Sequence, residues 1–195
     1  MIIVTFGRYE QGKGVIPIEW IPLQIKEKET LLVSKYALDC RRYNEKHGDV
    51  TWETCSLRAW LNGEFYDTAF NDKEKALIAE TIIPADKNPW KDTDPGNATR
   101  DRVFLLSALE IQRCFSDGKN RICAPTDYAK KRGAFASGDL HTTEEGEEPC
   151  WWWLRTPGNY PFFAERISDG GDIDYCGGFS DQDEICVRPA IWIKL

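Results

Sequence analysis

Apolar side chains occur in three short runs near the start of the chain, and their pattern is typical of strands. Residues 2–6, 18–25 and 30–34 are rich in β-branched and aromatic side chains. Gly12 and Gly14 lie between the first two runs, where a hairpin connection needs turn residues. The three runs therefore predict an antiparallel meander at the start of a sheet.

A helical period replaces this pattern over residues 56–70. Apolar side chains recur there at spacings of three and four residues, which places them on one face of a helix. They include Leu57, Trp60, Leu61, Phe65 and Ala69. Gly63 weakens the middle of this segment, so the pattern predicts one helix or a pair of helices.

Three further helix starts are marked by capping residues. Asn71 is followed three residues later by Glu74, and Ser107 by Glu110. In each pair the two side chains bond reciprocally to the free N–H groups of a first helical turn. Thr126 is the predicted cap of a short helix over residues 127–131.

The C-terminal half is rich in β-type runs separated by long polar loops. Residues 103–106, 150–155 and 185–195 are predicted strands, and residues 86–102 and 133–148 are predicted loops. The order is strands, then helices, then strands again. It predicts a single α+β domain over residues 1–195, with a mostly antiparallel sheet, two or more flanking helices and long loops.

Charge and hydropathy exclude several partners. The formal net charge is −7, with no basic patch, which argues against nucleic acid or an anionic membrane as partner. No apolar run reaches about 18 residues, so no membrane insertion is expected. The first residues lack a signal-peptide pattern. The sequence thus predicts cytoplasmic synthesis, and display on a cell or virion surface would require a partner.

Catalytic and cofactor motifs are missing from the sequence. His47 and His141 both lie in polar stretches and are predicted to be solvated surface residues. There is no nucleophile elbow, dinucleotide fingerprint or phosphate-binding loop. We therefore expect neither catalytic residues nor a cofactor, and predict that the protein is not an enzyme.

Metal binding is also not predicted. The seven cysteines are scattered without a Cys-x-x-Cys pair, which favours free, buried thiols in a reducing compartment over zinc ligands. Aspartates crowd residues 169–183, and hard cations take carboxylate oxygens, but no EF-hand spacing is present. Calcium remains the open alternative, and the prediction is no metal.

Residues 156–186 have an unusual composition. Aromatic side chains are interleaved there with Asp, Gly, Ser and Asn, as in antibody paratopes. An irregular surface loop with its rings in the core would have the same composition, so both interpretations stay open. Asp169-Gly170 is a hairpin signal, with Ile167 and Ile173 predicted to point inward. The predicted ligand-binding residues, expected on one exposed face, are Asn159, Tyr160, Phe162, Phe163, Arg166, Ser168, Asp172, Asp174, Tyr175, Phe179, Ser180, Asp181 and Asp183.

Nine motifs, in order across nearly the whole chain, resemble a family of bacterial and phage domains with a C-type-lectin-like fold. They are residues 6–11, 17–23, 31–35, Trp52, 56–62, 103–107, 126–129, 152–158 and 187–192. The same pattern is similar to that of variable proteins of diversity-generating retroelements. In those systems a reverse transcriptase randomises adenine positions in a C-terminal cassette.

The resemblance implies a C-type-lectin-like fold with a variable, ligand-binding segment over residues 156–186. Trp151 to Trp153 and Trp192 would anchor its scaffold, and a protein or other macromolecule would be the partner, without calcium. Glu165, Gln182 and Glu184 fall outside the residues that randomised AAC-type codons reach, so they would be fixed.

Two alternatives remain. One is a constant binding domain of the same fold in a surface or phage protein. The other is a thiol oxidase resembling the formylglycine-generating enzymes, which use a C-terminal cysteine pair. Cys176 and Cys186 lie in the matching region. The oligomeric state stays open.

Overall fold

Two five-stranded sheets and a two-stranded ribbon form the framework of the computed structural model, which describes residues 2–26 and 28–194. The strands are short except for the first hairpin. They are β1 Val4–Glu10, β2 Val15–Lys26, β3 Glu29–Ser34, β4 Asp39–Cys40, β5 Thr81–Ile83, β6 Thr99–Asp101, β7 Val103–Phe104, β8 Trp152–Pro157, β9 Phe163–Ile167, β10 Ile173–Phe179, β11 Cys186–Val187 and β12 Ala190–Lys194.

The first sheet joins both ends of the described chain. Its strand order is β1-β2-β3-β12-β7, and all its pairs are antiparallel. The predicted meander is confirmed, with Gly12 and Gly14 at positive φ in the β1–β2 connection. Strand β12 lies between β3 and β7, so the C-terminal strand closes the sheet that the N-terminal strands begin.

The second sheet holds the C-terminal segment. Its order is β10-β9-β8-β11-β4, antiparallel except for the parallel β8–β11 pair. Strand β8 is buried along its whole length, and β9 and β10 extend from it as a hairpin at the sheet edge.

The prediction of one strand over residues 185–195 is wrong, because that run divides between the two sheets. Strand β11 pairs in the second sheet and β12 in the first, with Arg188 and Pro189 between them. Pro189 has no N–H to donate to a ladder. Its carbonyl instead accepts from the N–H of Ser34 at 2.9 Å, which fixes the crossing point between the sheets.

Five short α-helices flank the sheets in the described residues. They are α1 Ser56–Trp60, α2 Tyr66–Ala69, α3 Asp72–Leu77, α4 Ala108–Cys114 and α5 Asp127–Lys131. The π-helical turn Leu61–Phe65 joins α1 to α2 and contains Gly63, in agreement with the predicted weak middle. Asn71 with Glu74 and Ser107 with Glu110 form the two predicted capping boxes. Thr126 caps α5 through the N–H of Ala129.

The long loop predicted over residues 86–102 ends earlier than expected. Its last part forms β6, which pairs with β5 in the small ribbon. Asp101 in β6 is buried and accepts hydrogen bonds from Trp52, Arg58 and Thr99. Strand β6 is polar and only three residues long, so it is too short to show an alternating apolar and polar pattern in the sequence.

Tryptophan rings dominate the core. Trp20, Trp152 and Trp153 are fully buried, and Trp192 is nearly so. Each buried indole of Trp20, Trp152 and Trp153 donates to a backbone carbonyl, so the large rings are packed without an unpaired N–H.

A row of buried thiols crosses the second sheet and its surroundings. All seven cysteines are free, and five of them are buried, among them Cys40, Cys123, Cys150 and Cys186. Cys40 lies opposite Cys186 in the pairing of β4 and β11, and the thiol of Cys150 donates to the carbonyl of Cys123 at 3.3 Å. Burial raises the pKa of the Cys123 and Cys150 thiols well above their ordinary range. Cys176, in contrast, is exposed.

Helices long and apolar enough to cross a bilayer are absent from the described part of the chain.

Candidate functional site

The hairpin of β9 and β10 is held firmly at its turn. Ser168 closes the turn, since its Oγ accepts from the N–H of Asp172 at 3.0 Å and its carbonyl accepts from the N–H of Gly171. Gly171 has a φ of +84°, and a Cβ at that position would lie 2.0 Å from the carbonyl oxygen of Gly118. The turn is therefore packed tightly against the backbone near residue 118.

A bulge interrupts the pairing of β9 and β10. Asp174 pairs with Arg166 and Gly178 with Ala164, so three residues of β10 lie opposite the single residue Glu165. Gly177, within the bulge, has a φ of +77°. Because a bulge changes the direction of the following side chains, it determines where the end of β10 presents its residues.

An exposed aromatic cluster lies at the open end of this hairpin. Its members, called the aromatic cluster below, are Tyr160, Phe162, Phe163, Phe179 and His47. Phe163 packs edge-on against Phe179 at 4.7 Å and against Phe162 at 5.0 Å between ring centroids. Tyr160 stacks on Phe162 at 5.6 Å, and His47 lies 5.6 Å from the same ring. Tyr160 is 56% exposed and Phe179 45%, so a contiguous ring surface faces solvent.

One acidic side chain contacts the aromatic cluster. Asp181 lies 3.3 Å from Nδ1 of His47, and Asp183, close to it in sequence, is paired with Arg42 at 3.3 Å. Residues 156–186 contain seven carboxylate side chains and one arginine, a formal net charge of −6. The formal net charge of this segment is therefore close to the −7 of the whole protein.

The turn-proximal part of the hairpin carries a separate polar network. Arg166 donates to Asp174 at 3.0 Å and to Gln182 at 2.9 Å, and its guanidinium lies 4.4 Å from the centre of the Trp151 ring. These side chains are half-buried and mutually paired. They stabilise the hairpin and leave few free groups for a ligand.

Tyr175 points to the opposite face of the hairpin from Asp174, as successive strand residues do. Its ring packs on Trp90 at 4.8 Å, and its hydroxyl group bonds to Gln112. Asn88, two residues before Trp90, donates to the carbonyl of Tyr175 at 2.7 Å. The 86–98 loop is thereby fixed to the outer strands of the second sheet.

The structure therefore corrects the prediction of one exposed face. Tyr160, Phe162, Phe163, Phe179 and Asp181 come together, whereas Asp183 is paired with Arg42. Ser168 and Asp172 lie at the far end of the hairpin, about 14 Å away at about 3.4 Å per strand residue. Arg166 and Asp174 lie on one face and Tyr175 on the other.

Ser180 and Asn159 are among the residues of the predicted set that are less accessible than expected. Ser180 is fully buried, because its N–H donates to the carbonyl of Phe162 and its carbonyl accepts from the N–H of Asn44. Asn159 is half-buried and its N–H donates to the carbonyl of Cys176. Both contacts join distant parts of the chain, which local composition does not reveal. The predicted inward positions of Ile167, Trp152 and Trp153 are confirmed, and Ile173 and Trp151, also predicted to point inward, are half-buried against the core.

His47 and Trp90 are the residues that sequence reasoning missed. His47 is exposed, as predicted, but it also extends the aromatic cluster. Its place there depends on a contact over more than a hundred residues of sequence, and no local pattern marks it. Trp90 did carry a signal, since a large ring in an otherwise polar loop needs a packing partner.

Glu165 is a buried carboxyl group under the hairpin. Its side chain is fully buried, Oε1 accepts from Asn88 at 3.1 Å, and Oε2 has no partner among the described residues. Burial, and secondarily the charge of Asp174, raises the pKa of the Glu165 carboxyl to about 9. The group is therefore protonated and neutral at pH 7.

This carboxyl predicts a specific dependence of stability on pH. Because the folded-state pKa lies above the ordinary value of 4.5, the folded protein keeps a proton that the unfolded chain loses as the pH rises between the two values. The contribution of Glu165 to stability is thus fully present below pH 4.5 and declines up to about pH 9, with a slope of up to about 1.4 kcal/mol per pH unit.

Glu165→Gln is expected to remove this decline, since the amide is neutral at every pH. Urea unfolding of wild type and variant at several pH values from 5 to 9, a window set by the pKa shift, measures the difference. The variant should gain stability relative to wild type as the pH rises. Parallel stability curves for the two proteins would show that Glu165 is ionised in the folded state.

The fold does not bring together Cys176 and Cys186, the cysteine pair considered for thiol oxidase chemistry. Cys176 lies on β10 and Cys186 on β11, three strand positions apart in the second sheet. At about 4.8 Å per position, the strands are separated by about 14 Å, whereas a disulfide needs Cα atoms within about 7 Å. Groups of three or more side chains suited to holding a metal ion are likewise absent within residues 2–26 and 28–194.

By its fold the protein is a mixed α+β domain, with mostly antiparallel sheets and a C-terminal hairpin that ends in an exposed aromatic cluster. The chain belongs to the family described as a domain of unknown function (DUF6273), whose model matches residues 27–195. No curated protein and no solved structure shows significant similarity to it.

Proposed function

We propose that the protein is a non-catalytic recognition domain that binds a macromolecular partner, in the first place a protein, through the aromatic cluster. Four interlocked aromatic rings on a firmly held hairpin, two exposed and two half-buried, are the observation that carries this proposal. Rings provide large contact area at low cost in conformational entropy. An exposed apolar patch on a soluble domain is typical of an interaction site.

The rigidity of the hairpin supports a binding role. The turn is packed on Gly118, and the bulge is fixed by the contact of Gly177 with Ala164. A preformed surface loses little freedom when a partner binds, so more of the contact energy appears as affinity.

The charge around the aromatic cluster favours a basic partner surface. Asp181 lies beside the His47 ring, within a segment of formal net charge −6. Arginine and lysine side chains stack on aromatic faces and pair with carboxylates. A protein surface with basic residues would make both contacts at once.

A C-type-lectin-like fold is part of the proposal. Two features support it: the C-terminal strand β12 lies in the sheet that the N-terminal strands begin, and the second sheet is built largely from the C-terminal half. In this arrangement an irregular ligand-facing hairpin is bracketed by buried strands. Side chains on it can change without emptying the core.

We further propose that the segment is the variable cassette of a diversity-generating retroelement. Tyr160, Phe179 and Asp183 are exposed, so substitution there leaves the fold intact, whereas Glu165 and Ser180 are buried and would be fixed. The nucleotide sequence of the gene tests this directly. A nearby imperfect repeat that differs at adenines, with a reverse transcriptase gene, would support it, and their absence would overturn it.

A constant binding domain of the same fold is the second candidate. The packing of Phe163 against Tyr160, Phe162 and Phe179 favours it, since each ring depends on the shape of the others. This candidate predicts that close relatives keep these rings and Tyr175 unchanged.

Substituting alanine at both Tyr160 and Phe179 is expected to weaken recognition strongly. Peptides selected on the immobilised wild-type protein from a random library should be rich in Arg and Lys, and should bind the double variant about tenfold more weakly or worse. Both side chains are substantially exposed, so thermal unfolding should change little.

Leu140→Ala is the matched control, because Leu140 is 83% exposed and lies outside the segment. It should leave peptide binding unchanged. Equal binding of the selected peptides to wild type and to the double variant would show that the aromatic cluster is not the recognition surface.

A further inference from the structure

A cavity of about 280 Å³ lies away from the hairpin, and none of its lining residues belongs to the 156–186 segment. It is enclosed by the edge of the first sheet, the chain that follows β3, the segment around residue 120 and the 143–147 loop. Its volume is that of about nine liquid water molecules at about 30 Å³ each, which suits a small organic molecule.

The cavity has a cationic wall at Arg188. Only 1% of this residue is exposed, and its Nε and Nη1 donate to the carbonyls of Ser34 and Arg121 at 2.9 and 3.2 Å. Nη2 has no hydrogen-bond partner among the described residues, and no carboxylate there forms an ion pair with the guanidinium. The Trp152 ring, 4.9 Å away, provides only partial compensation.

The buried guanidinium of Arg155, in contrast, has two carboxylate partners. It is equally inaccessible, at 3% exposure, and is paired with both Glu110 and Asp86. A buried charge without a counter-ion is costly. Arg188 therefore has no anionic partner, unlike Arg155, and its guanidinium lines the cavity.

The exposed side chains around the cavity carry both signs of charge. Glu144 and Glu147 line it without forming an ion pair with a described side chain, and Lys119 lines it as well. Glu145, between them, is already paired with Lys35 at 2.9 Å. The Glu147 carboxylate accepts only from the hydroxyl group of Thr143, at 3.5 Å, so both unpaired carboxylates favour a positively charged group on the ligand.

Part of the remaining wall is apolar. Ile3, Ile21, Ile122 and Ala124 contribute aliphatic surface, and Tyr36, Asn120 and Thr143 contribute polar groups. A ligand that matches all three regions has an anionic group, a cationic group and an aliphatic body.

We propose that this cavity binds a small zwitterion, an α-amino acid with an apolar side chain or a close analogue, with its carboxylate on Arg188 and its ammonium group near Glu144 and Glu147. The isoleucine side chains contact the apolar side chain of the ligand. This site is independent of the aromatic cluster and of the function proposed for it.

Ligand series on the wild-type protein test the assignment. Alanine, valine, leucine and phenylalanine are titrated in calorimetry or in amide chemical-shift experiments, and at least one should bind at millimolar or lower concentration. For the tightest ligand, the amide, which lacks the carboxylate, and the deaminated acid, which lacks the ammonium group, should each bind about tenfold more weakly.

Variants of the exposed rim locate the site without risk to folding. Glu144→Gln combined with Glu147→Gln should weaken binding of the amino acid and leave the deaminated acid unaffected. Glu148→Gln, on the same loop but paired with Lys130, is the control and should change neither. Arg188→Lys should weaken binding of the amino acid and of the deaminated acid, because both carry a carboxylate, and should leave binding of the amide unchanged.

Failure of all four amino acids to bind the wild-type protein would overturn the proposal. So would an amide that binds as well as its parent amino acid, or a rim double variant with unchanged affinity.

Discussion

Arg155→Met is expected to destabilise the protein by about 3 to 5 kcal/mol, the typical cost of removing one partner from a buried ion pair. The guanidinium donates to Glu110 and Asp86 and to the carbonyls of Leu105 and Pro84. Methionine fills a similar volume but satisfies none of these acceptors. Two carboxylates and two carbonyls would then be left in a poorly solvated site.

Urea unfolding of the variant, compared with wild type, measures this loss. Lys130→Met is the control, because Lys130 pairs with Glu148 at the surface and both side chains are substantially exposed. Its effect should stay below about 1 kcal/mol. Similar losses for the two variants would mean that the Arg155 network contributes no more than a surface pair.

Gly177→Ala is expected to cost about 3 kcal/mol or more, and Gly146→Ala only about 1 kcal/mol. The two glycines have nearly the same φ, +77° and +79°, so an added Cβ causes the same backbone strain at both. They differ in surroundings. A Cβ at Gly177 would lie 2.5 Å from the carbonyl oxygen of Ala164, whereas no atom lies within 4 Å at Gly146.

The comparison separates backbone strain from steric contact. Thermal or urea unfolding of both variants gives the two free-energy changes, and amide spectra of Gly177→Ala should show shifts concentrated at the β9–β10 bulge. Equal destabilisation of the two variants would mean that the bulge relaxes freely, and that the aromatic cluster is held less firmly than its contacts indicate.

Local signals in the sequence predicted local structure well. The capping boxes at Asn71 and Ser107 and the turn glycines of the first hairpin were predictable, because each depends on residues fewer than five apart. The α+β class followed from the order of such segments. These features depend on hydrogen bonds that a short stretch of chain makes with itself.

Features that depend on distant residues were not predictable. Pro189 splits the final apolar run between two sheets because its carbonyl meets Ser34, more than 150 residues earlier. Ser180 is buried by contacts with Phe162 and Asn44. Composition identified the segment that contains the candidate site, but the division of its residues between two faces and two ends of a hairpin follows from a bulge whose position no periodicity marks.

The distribution of the cysteines makes the native protein selectively reactive toward thiol reagents. Cys176 is exposed on β10, three residues from Phe179, while Cys40, Cys55, Cys123, Cys150 and Cys186 are buried. A maleimide fluorophore should therefore attach first at Cys176 and report on its neighbourhood without any engineered mutation. The buried thiols become modified only when the fold opens, so their rate of alkylation measures how often the protein unfolds under native conditions.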